Sequence, residues 1–210
     1  KLARIAQTVR KLKNGIIYCA TRKNVERVAT HLGKEGLRCI AYHGGMTDER
    51  RTKAQVEFMS GKFHVAVATN AFGMGIDRPD LRFVVHYDIP GSVEAYYQEA
   101  GRAGRDGEPA RCELCFNYAD VQTQEFFIEG ANPTREVIAA LYHALVRLCA
   151  GGPIEMPITD IAEHVSEATN EMAVGSSLYL LERGGFIQRT YRKGSRTYTT
   201  WLVEPVKPLE

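Results

Sequence analysis

The sequence has little of what would place it in a membrane or in an oxidising compartment. Its apolar runs are only a few residues long, so none could span a bilayer. No positively charged start leads into an apolar signal core. The five cysteines, an odd number, argue against a disulfide framework and favour a reducing compartment. We therefore expect a cytoplasmic protein with no membrane partner.

The chain also lacks a strong charge of either sign. Its formal net charge of +2 is too small to indicate a nucleic-acid partner by itself. Charge is instead concentrated in residues 183–196, which carry five basic side chains and no acidic one. Such a patch suits contacts with backbone phosphates, and a solvated hairpin tip is the alternative. The basic residues are Arg183, Arg189, Arg192, Lys193 and Arg196.

Short apolar segments alternate with helical patterns through the first two thirds of the chain. Helices with N-caps at Thr47 and Ser92 lie among the predicted strands. Strands separated by helices predict a parallel sheet covered on both faces, with functional groups at the carboxyl ends of the strands. We assign this α/β pattern to residues 1–130. The predicted strands are 15–21, 38–44, 63–70, 82–90 and 110–118.

The pattern changes after the turn signal "EGANP" (129–133). Three helical segments are followed by a hairpin pattern around "KGS", which is typical of a winged helix. We predict this small domain over residues 131–210, with Trp201 in its core. The fold often binds nucleic acid, and it also often serves as a structural or protein-contact module. The helical segments are 134–152, 158–165 and 170–185, and the hairpin is 186–203.

The segment "QEAGRAGRDG" (98–107) places Arg102 and Arg105 among three glycines. Glycine weakens a helix by about 1 kcal/mol relative to alanine, which is a poor design for plain scaffolding. Residues three apart on a helix share a face, so both guanidiniums could converge on one anion. Their planar geometry suits phosphate oxygens, and an arginine at the γ-phosphate can accelerate phosphoryl transfer. A surface salt-bridge pair is the alternative.

The segment "VATNAFGMGIDRPD" (67–80) is the second candidate for nucleotide chemistry. A strand ends at Thr69, and a loop containing Gly73 and Gly75 leads to Asp77. Small residues there can bring backbone amides to a phosphate, and Asp77 could accept a hydrogen bond from a ribose hydroxyl. The sequence has no GxxxxGK[ST] loop and no acidic Walker-B-type strand end. It therefore contains only half of an ATP site.

The order of these motifs resembles the second motor lobe of superfamily 2 helicases, and within them the RecQ DNA helicases. DEAD-box RNA helicases have a different sequence around the paired arginines. The resemblance covers roughly residues 1–120 and implies a RecA-like lobe. The matching segments are "YCATRKNVE" (18–26), "AYHGGM" (41–46), "VATNAFGMGIDRPDLRFVVHYDIP" (67–90) and "EAYYQEAGRAGRDG" (94–107).

The resemblance implies roles for the residues of these motifs. Gln98 would sense the nucleotide, and Arg102 and Arg105 would reach the γ-phosphate of ATP held on a first motor lobe. Gly75 and Asp77 match the loop that couples the nucleotide to DNA. ATP and Mg²⁺ are the implied cofactors, bound mainly by the first lobe, which is then a partner of this one.

The resemblance also implies two groups of DNA contacts. Arg22, His43 and Thr69 match positions near the DNA backbone, although a lone histidine at a strand end is more often a structural residue. The hairpin combines phosphate-binding charge with rings that could stack on a base, and it could help to separate strands. Its candidate residues are Arg189, Tyr191, Arg192, Lys193, Arg196 and Tyr198.

The chain departs from common bacterial RecQ proteins, in which a zinc module of four cysteines follows the motor. In "CELC", Cys112 and Cys115 fall in a predicted strand, where residues i and i+3 point to opposite faces. No second cysteine pair follows at zinc-finger spacing. We therefore expect no zinc.

The leading hypothesis is part of an ATP-dependent RecQ-type DNA helicase that moves 3′ to 5′ in repair or recombination. Its partners would be single-stranded DNA and duplex junctions, and a bacterial protein would be associated with the nucleoid. The chain starts at Lys1 rather than methionine, so we expect a piece of a longer protein, inactive alone. The alternatives are a non-catalytic DNA-binding or strand-annealing module and an RNA helicase lobe.

Overall fold

The computed structural model describes residues 1–72, 76–166, 170–191 and 197–203. The chain divides into two compact units, Lys1–Gln124 and Glu125–Glu210. Each unit has its own apolar core. In the described ranges, no helix combines the length and the apolar character that a membrane crossing requires.

The first unit is built on a five-stranded parallel sheet with the order β2-β3-β1-β4-β5. This confirms the predicted parallel α/β architecture. Thr47 and Ser92 are N-caps, as expected, and accept hydrogen bonds from the amides of Arg50 and Ala95. The elements are α1 (Leu2–Leu12), β1 (Gly15–Tyr18), α2 (Arg22–Lys34), β2 (Ile40–Tyr42), α3 (Asp48–Met59), β3 (Val65–Ala68), β4 (Phe83–His86), α4 (Val93–Ala100), β5 (Arg111–Leu114) and the first residues of α5 (Ala119–Ala131), whose remaining residues belong to the second unit.

The central strands are apolar on both faces because both faces of the sheet are covered. Ile17 packs with its neighbours in register, Val67 and Val85, beneath α1 and α2. Ile16, one residue earlier, points to the opposite face and packs with Phe58 of α3. This two-sided burial fixes the sheet, and the predicted site residues follow the carboxyl ends of its strands.

The second unit contains helices and a three-stranded antiparallel sheet with the order β6-β8-β7. Leu141, Leu145, Leu178 and Ile187 are fully or almost fully buried in its core. The arrangement is compatible with the predicted winged helix. The elements are α6 (Arg135–Leu148), a 3-10 turn (Cys149–Gly151), β6 (Ile154–Met156), α7 (Ile158–Ala162), α8 (Glu171–Arg183), β7 (Ile187–Tyr191) and β8 (Tyr198–Leu202).

Two expectations for the C-terminal part are wrong. Residues 129–131 of the predicted "EGANP" turn form the end of α5, and the new helix begins only after its N-cap Thr134. Trp201 is half-buried and not in the core, because it alternates along β8 with the buried Thr200. The Trp201 indole instead donates a hydrogen bond to Gln188.

Candidate functional site

The paired arginines lie on a turn, not on a helix as predicted. Helix α4 ends at Ala100, and Gly101 is its C-cap. Residues 101–106, called the arginine turn below, lead back toward β5. Gly104 has a φ of +66°, and a Cβ there would lie 2.8 Å from the Glu108 carbonyl oxygen. Gly104 therefore lets the chain turn tightly through a left-handed residue, and the two guanidiniums have separate surroundings.

Arg102 is half-buried and held from within the lobe. Its Nη1 donates to the carbonyl oxygen of Ile76 at 3.0 Å, and its buried Nε has no partner among the described residues. The guanidinium lies beside the hydroxyl of Tyr18, which donates to the Phe72 carbonyl at 3.1 Å. Burial raises the pKa of Tyr18 to about 12, although Arg102 opposes that shift. Arg102 is thus braced against the sheet edge.

Arg105 is more exposed than Arg102 and is held by weaker contacts. Its Nε donates to the Gly101 carbonyl at 3.2 Å, and its Nη1 pairs with Asp77 at 3.0 Å. The two paired side chains are 43% and 78% exposed, and ion pairs at such positions are worth about 0–1 kcal/mol. Arg105 could therefore exchange Asp77 for a phosphate group at little cost.

The structure brings together most of the predicted nucleotide-site residues. Asp77 and Arg105 are in contact, and Arg102 contacts Ile76, the neighbour of Asp77. Gln98 is exposed on the last turn of α4, just before the arginine turn. Gly75, predicted for the same loop, lies outside the described residues. The nucleotide-facing roles of these residues remain predictions.

A buried polar pair that the sequence motifs did not predict lies beneath this turn. His86, the last residue of β4, contacts Glu99 of α4 with its Nε2 2.8 Å from Glu99 Oε2. The histidine side chain is 1% exposed and that of the glutamate 12%. Tyr18 stacks on the His86 ring at 5.6 Å between centroids, and Tyr96 packs against it at 5.0 Å. In the sequence, the only signal for these residues was their place in the motif segments "HYDIP" and "YYQEAGR".

The three predicted DNA-backbone residues of the first unit lie along one edge of the sheet. His43 follows β2, and Thr69 follows β3 with its amide donating to the Tyr42 carbonyl at 3.1 Å. Arg22 is exposed at the start of α2, and its guanidinium lies against the Gly44–Gly45 turn. A contact between Arg22 and the DNA backbone remains a prediction.

Both ring nitrogens of His43 are engaged within the protein. Its Nδ1 accepts from the Gly45 amide at 3.1 Å, so Nε2 carries a hydrogen and donates to Glu26 at 2.8 Å. His43 is 8% exposed, and its ring holds the Gly44–Gly45 turn in place. A DNA contact by His43 remains a prediction, and this geometry favours a supporting role below Arg22.

In the second unit, only part of the predicted DNA-binding hairpin is described. The Arg189 guanidinium pairs with Glu182 of α8 at 2.8 Å and lies over the Tyr198 ring at 5.1 Å. Its charge is therefore already compensated within the unit. The Tyr191 backbone ends β7, but its side chain and Arg192, Lys193 and Arg196 lie outside the described residues.

The side chains around the arginine turn suit an anion rather than a metal ion. Guanidinium groups donate hydrogen bonds to phosphate oxygens, whereas Mg²⁺ prefers carboxylate and phosphate oxygens. Across the described part of the chain, no group of three His, Cys, Asp or Glu side chains could hold a metal ion. If Mg²⁺ accompanies a nucleotide here, the described residues of this lobe would contact the phosphates.

Comparison with known proteins identifies the family of the first part of the chain. The helicase conserved C-terminal domain matches residues 1–107. The RecQ-like DNA helicase blm-1 of Caenorhabditis elegans is 49% identical over 125 residues, 60% of this chain and 13% of that protein. The ATP-dependent DNA helicase RecQ of Bacillus subtilis is 49% identical over 115 residues, 55% of this chain and 20% of that protein.

A solved structure shows the same fold for the first unit. The DEAD box protein from the hyperthermophile Methanococcus jannaschii has a TM-score of 0.51 and 26% identity. The match covers 61% of this chain and 35% of that chain. Together with the parallel sheet, this confirms the predicted RecA-like architecture.

The chain belongs to the family of helicases that share this conserved C-terminal domain. Within that family it is a RecQ-type lobe, as its motif order predicted and as its relatives confirm. It spans between 13% and 20% of the length of the two relatives described above.

Proposed function

We propose that this chain is the second motor lobe of an ATP-dependent RecQ-type DNA helicase that moves 3′ to 5′ in the cytoplasm and serves DNA repair or recombination. The names of its relatives, RecQ and a RecQ-like DNA helicase, support this activity. The observation that carries the proposal is the grouping of Gln98, Arg102, Arg105 and Asp77 beside one edge of the parallel sheet.

The two arginines differ in a way that suits two tasks. Arg102 is braced by the Ile76 carbonyl and can present a fixed positive charge. Arg105 is exposed and weakly paired, so it can turn toward the γ-phosphate when a first lobe, holding ATP and Mg²⁺, closes on this one. The charge that develops during phosphoryl transfer would then be met only in the closed state. Hydrolysis would release that contact and reopen the cleft.

DNA would run past the carboxyl edge that carries Arg22, His43 and Thr69. Contacts with phosphates give grip without reading sequence, which translocation requires. In this proposal Arg22 makes the direct contact with the DNA backbone, and His43 holds the Gly44–Gly45 turn beside Arg22. The hairpin of the second unit would add contacts at single-stranded DNA and duplex junctions.

The test is ATP hydrolysis by two proteins: the 210-residue chain alone, and the same chain joined to a first motor lobe with a phosphate-binding loop. Single-stranded DNA and single-stranded RNA are compared as stimulators. We expect turnover only in the joined protein, with stronger stimulation by DNA. DNA binding without turnover in either protein would indicate a non-catalytic DNA-binding module. Preferential stimulation by RNA would indicate an RNA helicase.

A further inference from the structure

The His86–Glu99 pair lies beneath the arginine turn but belongs to none of the predicted contacts. It joins the end of central strand β4 to the last turn of α4 through a 2.8 Å hydrogen bond. His86 Nδ1 is buried without a partner among the described residues. A proton on Nδ1 would therefore have no acceptor, so the neutral ring with its hydrogen on Nε2 fits the site. This hydrogen is donated to the Glu99 carboxylate.

Glu99 is directly connected to the arginine turn through its backbone. Its carbonyl oxygen accepts the amide hydrogen of Arg102 at 3.3 Å. Its side chain, at the same time, is held by His86 on the sheet. One residue thus ties the start of the turn to β4, and it follows the predicted nucleotide sensor Gln98 in the chain.

The histidine is itself held in a fixed orientation. Tyr18 is in register with His86 on the neighbouring strand, and their rings stack at an interplanar angle of 22°. The Tyr18 hydroxyl lies beside the Arg102 guanidinium. The polar pair and the braced arginine therefore share one packed cluster, in which a displacement of Glu99 would also shift Arg102.

We propose that His86 and Glu99 are positioning residues for the arginine turn: their buried hydrogen bond fixes where Arg102 and Arg105 lie relative to bound ATP. This inference rests on the proposed function. Replacing a buried polar pair with apolar residues is often neutral or favourable for stability. If the pair served only folding, replacing both residues with apolar ones could therefore leave stability and kcat unchanged. If the pair positions the arginines, the same replacement would lower kcat.

The test uses steady-state ATP hydrolysis by the full-length protein at saturating single-stranded DNA, with kcat and KM for ATP measured separately. Glu99→Met removes the acceptor but keeps a long side chain, and Glu99→Gln keeps one carbonyl oxygen that can accept from His86. We expect Glu99→Met to lower kcat by about 10- to 100-fold, as misplaced catalytic groups do, with little change in KM. Glu99→Gln should stay close to the wild type.

Three further variants separate positioning from folding. His86→Leu should lower kcat as Glu99→Met does, and the double variant should be no worse than either single one, because both remove the same bond. Val85→Ala is the matched control, since it truncates a buried neighbour on β4 that packs on the opposite face of the sheet. It should lower the melting temperature and leave kcat near that of the wild type.

Several results would overturn the inference. One is an unchanged kcat in Glu99→Met. Another is a loss of kcat in Glu99→Gln as large as that in Glu99→Met. A third is a loss of kcat in Val85→Ala, which would show that kcat follows stability. If Glu99→Met does not fold, His86→Gln, which keeps a donor, must remain active while the shorter His86→Asn does not. A wild-type protein without ATP turnover would instead overturn the proposed function. Amide exchange at Arg102, which needs no ATP, still tests the anchoring and should accelerate in Glu99→Met.

Discussion

Alanine at Gly104 should destabilise the arginine turn through two separate costs. A left-handed conformation costs a residue with a Cβ about 1–2 kcal/mol, and Gly104 has a φ of +66°. The new Cβ would also lie 2.8 Å from the Glu108 carbonyl and 3.1 Å from Ala110 Cβ, so overpacking adds about 1–3 kcal/mol. We therefore expect Gly104→Ala to lower the free energy of unfolding by about 2–5 kcal/mol.

Gly107 provides the matched control for that variant. It also has a positive φ, +85°, but a Cβ there would meet nothing within 4 Å. Gly107→Ala should therefore show only the conformational cost of about 1–2 kcal/mol. Urea unfolding followed by circular dichroism measures both losses, and amide exchange at position 104, whose N–H donates to the Leu81 carbonyl, reports the turn itself. Equal losses in the two variants would refute the reasoning from the close contact.

Three other predictions concern groups inside the first unit. Burial raises the pKa of Tyr18 to about 12. The raised pKa contributes stability that is complete below pH ~10 and is lost as the pH rises toward 12, at most about 3 kcal/mol. Tyr18→Phe should lack that loss in alkaline unfolding. Arg78→Lys should lower the free energy of unfolding by about 1–3 kcal/mol, since one ammonium cannot replace the bonds of Arg78 to Asp80 and two carbonyls; an unchanged urea midpoint would contradict this. Iodoacetamide at mildly alkaline pH should modify exposed Cys112 before Cys19, because burial raises the pKa of the Cys19 thiol; equal rates in peptide mapping would contradict this.

The parallel sheet could be predicted because its signals are local. Short apolar segments, the capping residues Thr47 and Ser92, and the alternation of strands with helices all agree on one architecture. Helix α1 was not predicted, although Leu2, Ile5 and Val9 have helical spacing that carries a signal. Helix α5 was not predicted either, and its sequence carries no such signal, because its large apolar residues at 126–128 are consecutive and have no helical period.

The candidate site was only partly predictable, because its geometry depends on long-range contacts. The spacing of Arg102 and Arg105 predicts a shared helix face, but Gly101 ends the helix and Gly104 turns the chain. His86 and Glu99 are thirteen residues apart and meet only once β4 and α4 have packed. The residue types in a motif indicate the chemistry, whereas the partner of each side chain is decided by the tertiary fold.

The supply of Arg105 from this lobe to ATP is the step on which the proposed function depends. Its most direct test is the turnover of ATP by the full-length protein with Arg105→Ala, compared with Arg111→Ala at saturating DNA. The two arginines are a close match, being 43% and 46% exposed and paired with a carboxylate at 3.0 and 3.1 Å. We predict that Arg105→Ala lowers kcat by about a thousandfold or more with DNA binding retained, and that Arg111→Ala leaves it near the wild-type value. Normal turnover by Arg105→Ala would contradict the account.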